Sequence, residues 1–533
     1  MSEVVATRDW GTTIKSFTHP RVITMLFLGF SAGIPILLIF SSLSLWLGEA
    51  GVEKSAVTFF SWAALGYSFK FVWAPLVDKL PLPLLTRWLG RRRGWMLLSQ
   101  LAIMSAIMWM AMTDPALSQG HQTVMALAAV LLGFSSATQD VVIDAYRIEA
   151  AESELQALMS STYIAGYRIG MIVAGAGALY LAYYFGTEKG AYNYTAWMNT
   201  YLIMAAVMLV GVATTLMIPE PTVYRAEESN YQTADYARFF VLFILAVLGF
   251  IAVFFMSSKS GSQLGFGPLY EMLNGFKTTL AETFSNKRLA SLLIETLRLG
   301  CALAVAWGIA KALMAMRVVD PHMVSEAYIN PVRDFFKRYG LGLALLLLAL
   351  VGFYRISDIV LGAISNVFYQ DIGYSKLDIA NVSKVFGLLM TIAGGFGGGL
   401  LAVRYGVMKI LFLGAVLSAV TNLLFIWLSQ SGGDIAMLYM VIGADNLSAG
   451  LASAAFIAFL SSLTNISFTA VQYAIFSSLM TLLPKVLGGY SGTIVESVGY
   501  TNFFILTTLL TLPVLLLIYV SSKHFNGEVK MAP

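Results

Sequence analysis

The chain is poor in the residues on which soluble proteins and metal sites depend. Only 12% of its 533 residues are charged, whereas soluble domains have roughly 25%. Its single cysteine, Cys301, excludes a disulfide within the chain. Its four histidines lie outside or at the edges of the long apolar runs, so no zinc, haem or iron–sulfur site is expected. The chain lacks the Gly-x-x-x-x-Gly-Lys-Ser/Thr loop of ATPases, and nothing in its charge pattern suggests a nucleic-acid partner.

Apolar residues are abundant instead. They make up 58% of the chain, and the mean hydropathy is +0.76. They recur in runs whose length is close to the roughly 20 residues that a bilayer-spanning helix needs. The sequence therefore predicts an all-α polytopic membrane protein with about fourteen spans. Twelve spans are predicted near 21–47, 57–80, 95–112, 122–145, 158–184, 196–218, 340–368, 379–402, 408–428, 435–462, 467–498 and 501–521, and two extra ones near 238–256 and 291–316.

The basic residues indicate an orientation. Lysine and arginine concentrate in the loops on the same side as the N-terminus, such as the triplet Arg91-Arg92-Arg93, and are scarce in the opposite loops. Because cytoplasmic loops are enriched in these residues, both termini are expected to be cytoplasmic. The polar first 20 residues lack the apolar core of a signal peptide, so we expect the N-terminal segment to be retained.

The two groups of six spans form an internal repeat. Two segments align at an offset of 322 to 323 residues: Gly29-Phe30 with Gly352-Phe353, and Glu49, Gly51 and Lys54 with Asp371, Gly373 and Lys376. Six plus six helices in two similar halves is a transporter architecture. The predicted organisation is an N-terminal segment at 1–20, a six-helix bundle at 21–220, a linker with two extra helices at 221–338, a second six-helix bundle at 339–522 and a tail at 523–533.

The turn after the second span resembles the signature of the major facilitator superfamily. It reads Leu76-Val77-Asp78-Lys79, followed after a lengthened loop by Gly90 and the arginine triplet. In that superfamily the acidic and basic residues of the signature clamp neighbouring helix ends. The resemblance therefore implies a cytoplasmic gate, although a positive-inside anchor would also account for the triplet. The residues assigned to this gate are Asp78, Arg91, Arg92, Arg93 and Arg404.

Charged and amide side chains occur inside the predicted spans, where an ionised group costs several kcal/mol unless it is paired or functional. Cations outnumber acids among the central spans, which suits an anionic solute. Neighbouring amides and aromatic rings are of the kind that bind sugars. The residues assigned to solute binding are Tyr67, Lys70, Trp73, Gln139, Tyr167, Arg168, Arg355, Lys384, Asn446, Gln472 and Lys485.

The opposing acids are Asp140, Asp144, Asp358 and Asp445. With no histidine inside the spans, a carboxylate is the expected proton carrier. Asp140 is the first choice, and Asp144 and Asp358 complete the assigned set. No cofactor is expected, since an ion gradient would supply the drive. A packing role is the alternative: Asp140 would form an ion pair with Arg168, and the amides would join helices.

Seven stretches in both halves resemble the AmpG muropeptide permease family. They are LGFSAGIP at 28–35, FKFVWAPLVD at 69–78, GRRRGW at 90–95, SATQDVVIDA at 136–145, GYRIGM at 166–171, PVRDFF at 331–336 and FTAVQYAIFSSL at 468–479. The resemblance covers roughly 20–220 and 330–520. It implies a major facilitator fold and proton-driven import of N-acetylglucosaminyl-1,6-anhydro-N-acetylmuramyl peptides across a bacterial inner membrane. In the family this uptake feeds peptidoglycan recycling and, in some Gram-negative bacteria, controls β-lactamase induction.

Two other functions stay open. One is a facilitator for another bulky anion such as an acyl-coenzyme A, and the other is a membrane-embedded enzyme that acts on a cell-wall precursor. The chain has no Asp-x-Asp, His-Glu-x-x-His or Ser/His pattern, so an enzyme is not expected. The solute and the lipid bilayer are the expected partners, and we expect a monomer.

Overall fold

The computed structural model describes residues 11, 15–52, 66–150, 153–187, 190–222, 231–257, 267–283, 287–431, 433–488 and 491–525. Their regular structure is helical. The first half contains α1 (Pro20–Leu37), α2 (Leu43–Glu49), α3 (Gly66–Phe69), α4 (Ala74–Lys79), α5 (Leu85–Leu89), α6 (Arg91–Ala111), α7 (Gln119–Ala150), α8 (Ser153–Ile172), α9 (Ala178–Tyr184), α10 (Tyr194–Val207) and α11 (Leu209–Met217).

The linker and second half continue this pattern. The linker contains α12 (Thr233–Met256), α13 (Gly267–Thr283), α14 (Lys287–Ala315) and α15 (Pro321–Val324). The second half contains α16 (Asn330–Phe353), α17 (Ile356–Asp371), α18 (Lys376–Ile379), α19 (Gly387–Tyr405), α20 (Val407–Leu428), α21 (Ile435–Leu463), α22 (Thr469–Gly488), α23 (Ser491–Leu509) and α24 (Thr511–Phe525). Short 3-10 turns lie at Ser16–Thr18, Lys70–Val72 and Ile466–Phe468, and π-helical turns at Leu38–Ser42, Val173–Gly177, Ser325–Ile329 and Ala380–Phe386.

Thirteen helical stretches of the described residues are long and apolar enough to cross a membrane. They correspond to all the predicted spans except the second, which lies partly outside the described residues and is helical over most of 66–79. The predicted polytopic all-α fold is therefore confirmed, and the protein is a multi-pass membrane protein.

Two features of the helices were not predicted. The fourth span was predicted to end near 145, but α7 continues to Ala150 and so carries Arg147 and Glu149 on a helix. The linker contains a third long helix, α13, which the sequence reading missed because its apolar residues alternate with polar ones such as Glu271, Asn274 and Lys277.

The chain forms two compact units. Met1–Ala226 and Arg333–Pro533 form the first, and Glu227–Val332 form the second. Within the second unit, α12 packs on α14, where Gly249 lies so close that an added Cβ would be 2.2 Å from Ile309. Arg298 bonds there to Glu295 at 2.8 Å and to Ser257 at 2.9 Å. Arg298 is thus paired within α14 and bonded to the residue that follows α12, as expected for a charge in a membrane-spanning helix.

Close backbone contacts build the first unit. A Cβ on Gly166 of α8 would lie 1.9 Å from the carbonyl oxygen of Leu26, and a Cβ on Gly394 of α19 would lie 2.0 Å from that of Leu447. Only glycine allows such approaches, and small residues at helix contacts are the usual means of packing helices in lipid. We call the side of the membrane where α1 begins the N-face and the opposite side the far face.

On the far face, an acid and aromatic rings join the first and last spans of the first half. Glu49 Oε2 accepts hydrogen bonds from Trp197 Nε1 and Thr187 Oγ1, each at 2.8 Å. Trp46 stacks on Trp197 with ring centroids 5.7 Å apart. Nearby, burial raises the pKa of Tyr192, as does its hydrogen bond to Asp114, so its hydroxyl remains a donor.

The second half repeats this arrangement. Asp371 Oδ2 accepts from the Tyr500 hydroxyl at 2.5 Å, and the Phe368 and Tyr500 rings lie 4.8 Å apart. Asp371 is the residue that the sequence repeat aligns with Glu49. We call each set, Trp46–Glu49–Trp197 and Phe368–Asp371–Tyr500, a far-face clamp.

Candidate solute site and gate

Asp144 of α7 lies between two cations. Lys70 Nζ, in the 3-10 turn of the second span, is 3.7 Å from Asp144 Oδ2, and Arg147 Nη2 is 3.4 Å from Asp144 Oδ1. All three side chains are buried. Arg147 also donates to Ser461 Oγ of the second half at 2.7 Å. The carboxylate of Asp144 therefore offsets part of the charge of Lys70 in this conformation.

Asp140 lies one helical turn away and has no such partner. Its Oδ1 accepts from the Tyr163 hydroxyl at 3.4 Å, and among the described residues no lysine or arginine forms an ion pair with it. The alternative of an ion pair with Arg168 does not fit, because Arg168 Nη1 lies 3.7 Å from Met171 Sδ instead. A buried carboxyl with one neutral donor is a group that can take up and release a proton.

The second half has a comparable pair of acids. Arg355 lies at the break between α16 and α17. Its Nε is 3.2 Å from Asp358 Oδ2, and its Nη1 donates to Ser453 Oγ. Asp445 of α21 accepts from Thr421 at 3.2 Å and has no ion pair within the described part of the chain. Asp445 was left out of the assigned proton-coupling set, although its place resembles that of Asp140.

Two cations lack an acidic partner among the described residues. Arg168 repels Arg355 electrostatically across the two halves, and Lys485 Nζ of α22 lies 3.5 Å from Ser68 Oγ of α3. Both come from central spans of different halves. An anionic group between the halves would offset their charge. The side chain of Lys384, the remaining assigned cation, lies outside the described residues.

Aromatic residues of the assigned set lie on the same helices as these charges. Tyr67 bonds to Ser136 Oγ at 2.5 Å, and Trp73 Nε1 donates to Thr138 at 3.1 Å. The Tyr167 ring lies 6.1 Å from that of Tyr163, the donor to Asp140.

The three amides are engaged with neighbouring helices. Gln139 is fully buried and donates to Ser31 Oγ at 3.1 Å. Asn446 Oδ1 accepts from Thr391 at 3.0 Å. Gln472 bonds to Arg338 near the N-face, at 3.1 Å. These hydrogen bonds are consistent with the packing alternative, but the Oε1 atom of the Gln139 amide is buried without a partner among the described residues, so a solute-binding role stays a prediction.

The gate signature joins the two halves at the N-face. Arg92 is 1% exposed and lies between two carboxylates: its Nη2 is 2.7 Å from Asp78 Oδ1 and 2.6 Å from Glu149 Oε1. The same nitrogen donates to Thr469 Oγ1 of the second half at 2.8 Å. Thr469 also bonds to Glu149.

Asp78 completes the junction by accepting from the first backbone N–H groups of α22. These are Ala470 N at 3.3 Å and Val471 N at 3.0 Å. A carboxylate at a helix N-terminus satisfies donors that have no partner within the helix and interacts favourably with the helix dipole.

The other arginines of the triplet secure helix ends within the first half. Arg91 donates to the Asp78 carbonyl at 2.6 Å, and Arg93 donates to the carbonyls of Thr215 and Leu216. Glu220 accepts from the backbone N–H groups of Arg92 and Arg93 at the start of α6. Arg404, the second-half member of the set, lies over the Tyr405 ring at 5.6 Å.

Sequence reasoning missed Glu149, Glu220 and Thr469. Glu149 follows Asp140, Asp144 and Arg147 on one helix, and an extension of that helix by one turn would have revealed it. Nothing local marks Thr469, since its role depends on a contact across 377 residues.

A family model described as Major Facilitator Superfamily matches residues 22–357. A Rickettsia felis protein named putative transporter AmpG 4 is 29% identical over 96% of this chain and 99% of its own length. The Escherichia coli K12 anhydromuropeptide permease is 26% identical over 95% of this chain and 81% of its own length. These relatives confirm the resemblance predicted from the motifs. A double-tryptophan variant of XylE matches in structure with a TM-score of 0.58 at 12% identity, covering 95% of this chain and 96% of that one.

Proposed function

The chain belongs to the major facilitator superfamily, and on this premise we propose that it imports N-acetylglucosaminyl-1,6-anhydro-N-acetylmuramyl peptides across a bacterial inner membrane, driven by protons, as a step of peptidoglycan recycling. The full-length similarity to a protein named anhydromuropeptide permease supports the solute. Its relatives are named transporters and permeases, which agrees with a transporter and not with an enzyme.

The single observation that carries the chemistry is Arg168, a cation of α8 that has no acidic partner among the described residues. The proposed solute combines peptide carboxylates with two sugar rings. A carboxylate would meet Arg168, Lys485 and Arg355 would add positive charge, and the rings of Tyr67 and Tyr167 would offer flat faces to the sugars.

In the proposed cycle the N-face is the cytoplasmic side, as the positive-inside rule favours. The solute enters from the far face while Arg92, Asp78 and Glu149 hold the N-face ends together. Asp140 takes up a proton, the gate contacts separate, and solute and proton leave to the cytoplasm. Asp144 and Asp358, each paired with a cation, set the charge balance around the solute.

Uptake by purified protein in proteoliposomes tests this function. Labelled anhydro-disaccharide peptide should accumulate when an inward proton gradient is imposed, and unlabelled compound should compete. Acetyl-coenzyme A should not compete, and its transport in place of the muropeptide would overturn the proposed solute.

A matched pair of variants tests the cation. Arg168→Gln should lower uptake by about tenfold or more, since a charge-assisted contact is worth roughly 1.5–3 kcal/mol. Lys409→Gln removes an exposed cation at the start of α20 and should transport as the wild type does. Equal uptake by both variants would contradict the placement of the solute carboxylate at Arg168.

A further inference from the structure

The turn between the tenth and eleventh spans, residues 463–472, is held from two sides. On one side it meets the gate of the first half, through Thr469, Ala470 and Val471. On the other side it meets the last turns of α16 before the break at Gly340, whose φ is +70°. We call residues 333–339 the strap.

Asp334 of the strap binds the turn at two points. Its Oδ1 accepts from Asn465 Nδ2 at 3.0 Å, and its Oδ2 accepts from Gln472 Nε2 at 2.9 Å. Arg338, four residues on, donates its Nε to Asp334 Oδ2 at 2.9 Å. The carboxylate therefore has three donors, two of which belong to the turn.

Arg338 also binds the turn directly, through Nη2. Its Nη2 donates to the carbonyl of Leu463, the last residue of α21, at 3.1 Å and to Gln472 Oε1 at 3.1 Å. Gln472 Oε1 accepts in addition from the backbone N–H of Asn465 at 2.7 Å. The strap thus provides hydrogen-bond partners for the last carbonyl of α21 and for the Gln472 side chain in the first turn of α22.

Ring contacts fix the strap against α22. The buried Phe335 ring lies 5.2 Å from Phe476 of α22. Within the strap, the Arg338 guanidinium lies 5.1 Å from the Tyr339 ring centroid. The residues held by the strap, 463, 465 and 472, flank along the chain those held by the gate, 469–471. A shift of the turn away from the strap would therefore also separate Val471 from Asp78.

We propose that Asp334 and Arg338 are positioning residues of the gate: they hold the turn at 463–472 where the N-terminus of α22 can bind Asp78 and Arg92. This inference rests on the alternating-access transport proposed above, but it concerns the equilibrium of the gate and not the solute. In this way the second half contributes to closure through the strap.

Spin-label distances across the N-face test the proposal without any solute. Labels would be placed at Arg87→Cys in the first half and Ile466→Cys in the second, both exposed, in a Cys301→Ala background. Asp334→Ala and Arg338→Ala should each raise the ratio of long to short distances by about tenfold, the size of a typical coupling between sites. Lys337→Ala, which removes an exposed cation from the same helix, is the matched control and should leave the distribution unchanged.

Uptake by the same variants provides a second readout. The rate at saturating solute should fall, with KM changed less, because no residue of the strap itself is assigned to solute binding. Arg338→Lys keeps the charge but not the forked geometry and should fall between the wild type and Arg338→Ala. If a strap variant does not fold, Gln472→Ala removes from the side of the turn the hydrogen bonds that Gln472 makes with Asp334 and Arg338.

Unchanged distances in folded Asp334→Ala, Arg338→Ala and Gln472→Ala proteins would overturn the proposal, as would an equal shift in Lys337→Ala. Because the distances need no solute, failure of the muropeptide assignment leaves this test intact.

Discussion

The two halves close their far-face ends alike and their N-face ends differently. On the far face each half has a clamp in which an acid accepts from an aromatic side chain of its last span, Trp197 in one half and Tyr500 in the other. At the N-face the first half brings Asp78, Arg92 and Glu149, whereas the second half offers the N-terminus of a helix.

The difference follows from what each contact joins. A far-face clamp lies within one half and keeps that half rigid, so a duplicated bundle needs two copies. The gate lies between the halves, and one contact serves both. A charge cluster meeting a helix N-terminus is complementary, whereas two copies of the same acid–arginine cluster would place like charges opposite each other.

The largest effect is expected at the gate. Arg92→Ala leaves Asp78 and Glu149 buried without their cation, which should destabilise the closed gate by about 3–5 kcal/mol and nearly abolish uptake. Arg404→Ala, at the corresponding turn of the second half, loses a contact to the Tyr405 ring and should cost about 0.5–1 kcal/mol. Proteoliposome uptake and the distance between labels at 87 and 466 measure both. Similar losses in the two variants would show that the N-face ends are equivalent after all.

The next largest effect is expected at Asp140 and Asp445, for which the described residues show no ion pair. Asp140→Asn should remove the ability to accumulate solute against its gradient while solute exchange continues, since an amide cannot carry the proton. Asp445→Asn loses charge beside Thr421 and should slow uptake by about fivefold, as for one weakened hydrogen bond. Accumulation and exchange, measured with and without a protonophore, separate the two. Loss of coupling in Asp445→Asn alone would place the proton in the second half.

Much of the fold was predictable because it depends on local composition. The lengths of the apolar runs located every span that the described residues can test. The internal repeat of the sequence predicted that Asp371 corresponds to Glu49. The break before Arg355 and the end of α7 at Ala150 were not predictable, since charged residues near a helix end look the same in a loop and in a buried contact.

The site was predictable only in part. Intramembrane charge pointed to Lys70, Arg168, Asp140 and Arg355, because burying a charge is costly enough to mark each one. The solute-binding roles of the amides Gln139 and Gln472 stay predictions, since an amide carries the same sequence signal whether it binds a solute or a neighbouring helix. The partners that decide between these roles, Ser31 and Arg338, are more than a hundred residues away in sequence.

The smallest effect is expected at the far-face clamps, and it should be similar in both halves. Trp197→Phe and Tyr500→Phe each remove the donor to an acid and keep an aromatic ring, so each should lower the free energy of unfolding by about 1–3 kcal/mol. Trp197→Phe belongs at the upper end, because a phenyl ring leaves part of a fully buried indole site empty. Thermal unfolding of the purified proteins measures the shifts, and Tyr184→Phe, at a side chain 82% exposed, controls for the loss of a hydroxyl. Because each clamp lies within one half, neither variant should change the distance between labels at 87 and 466. A change in that distance, or a loss of stability in only one of the two variants, would mean that the two far-face clamps do not serve the same purpose.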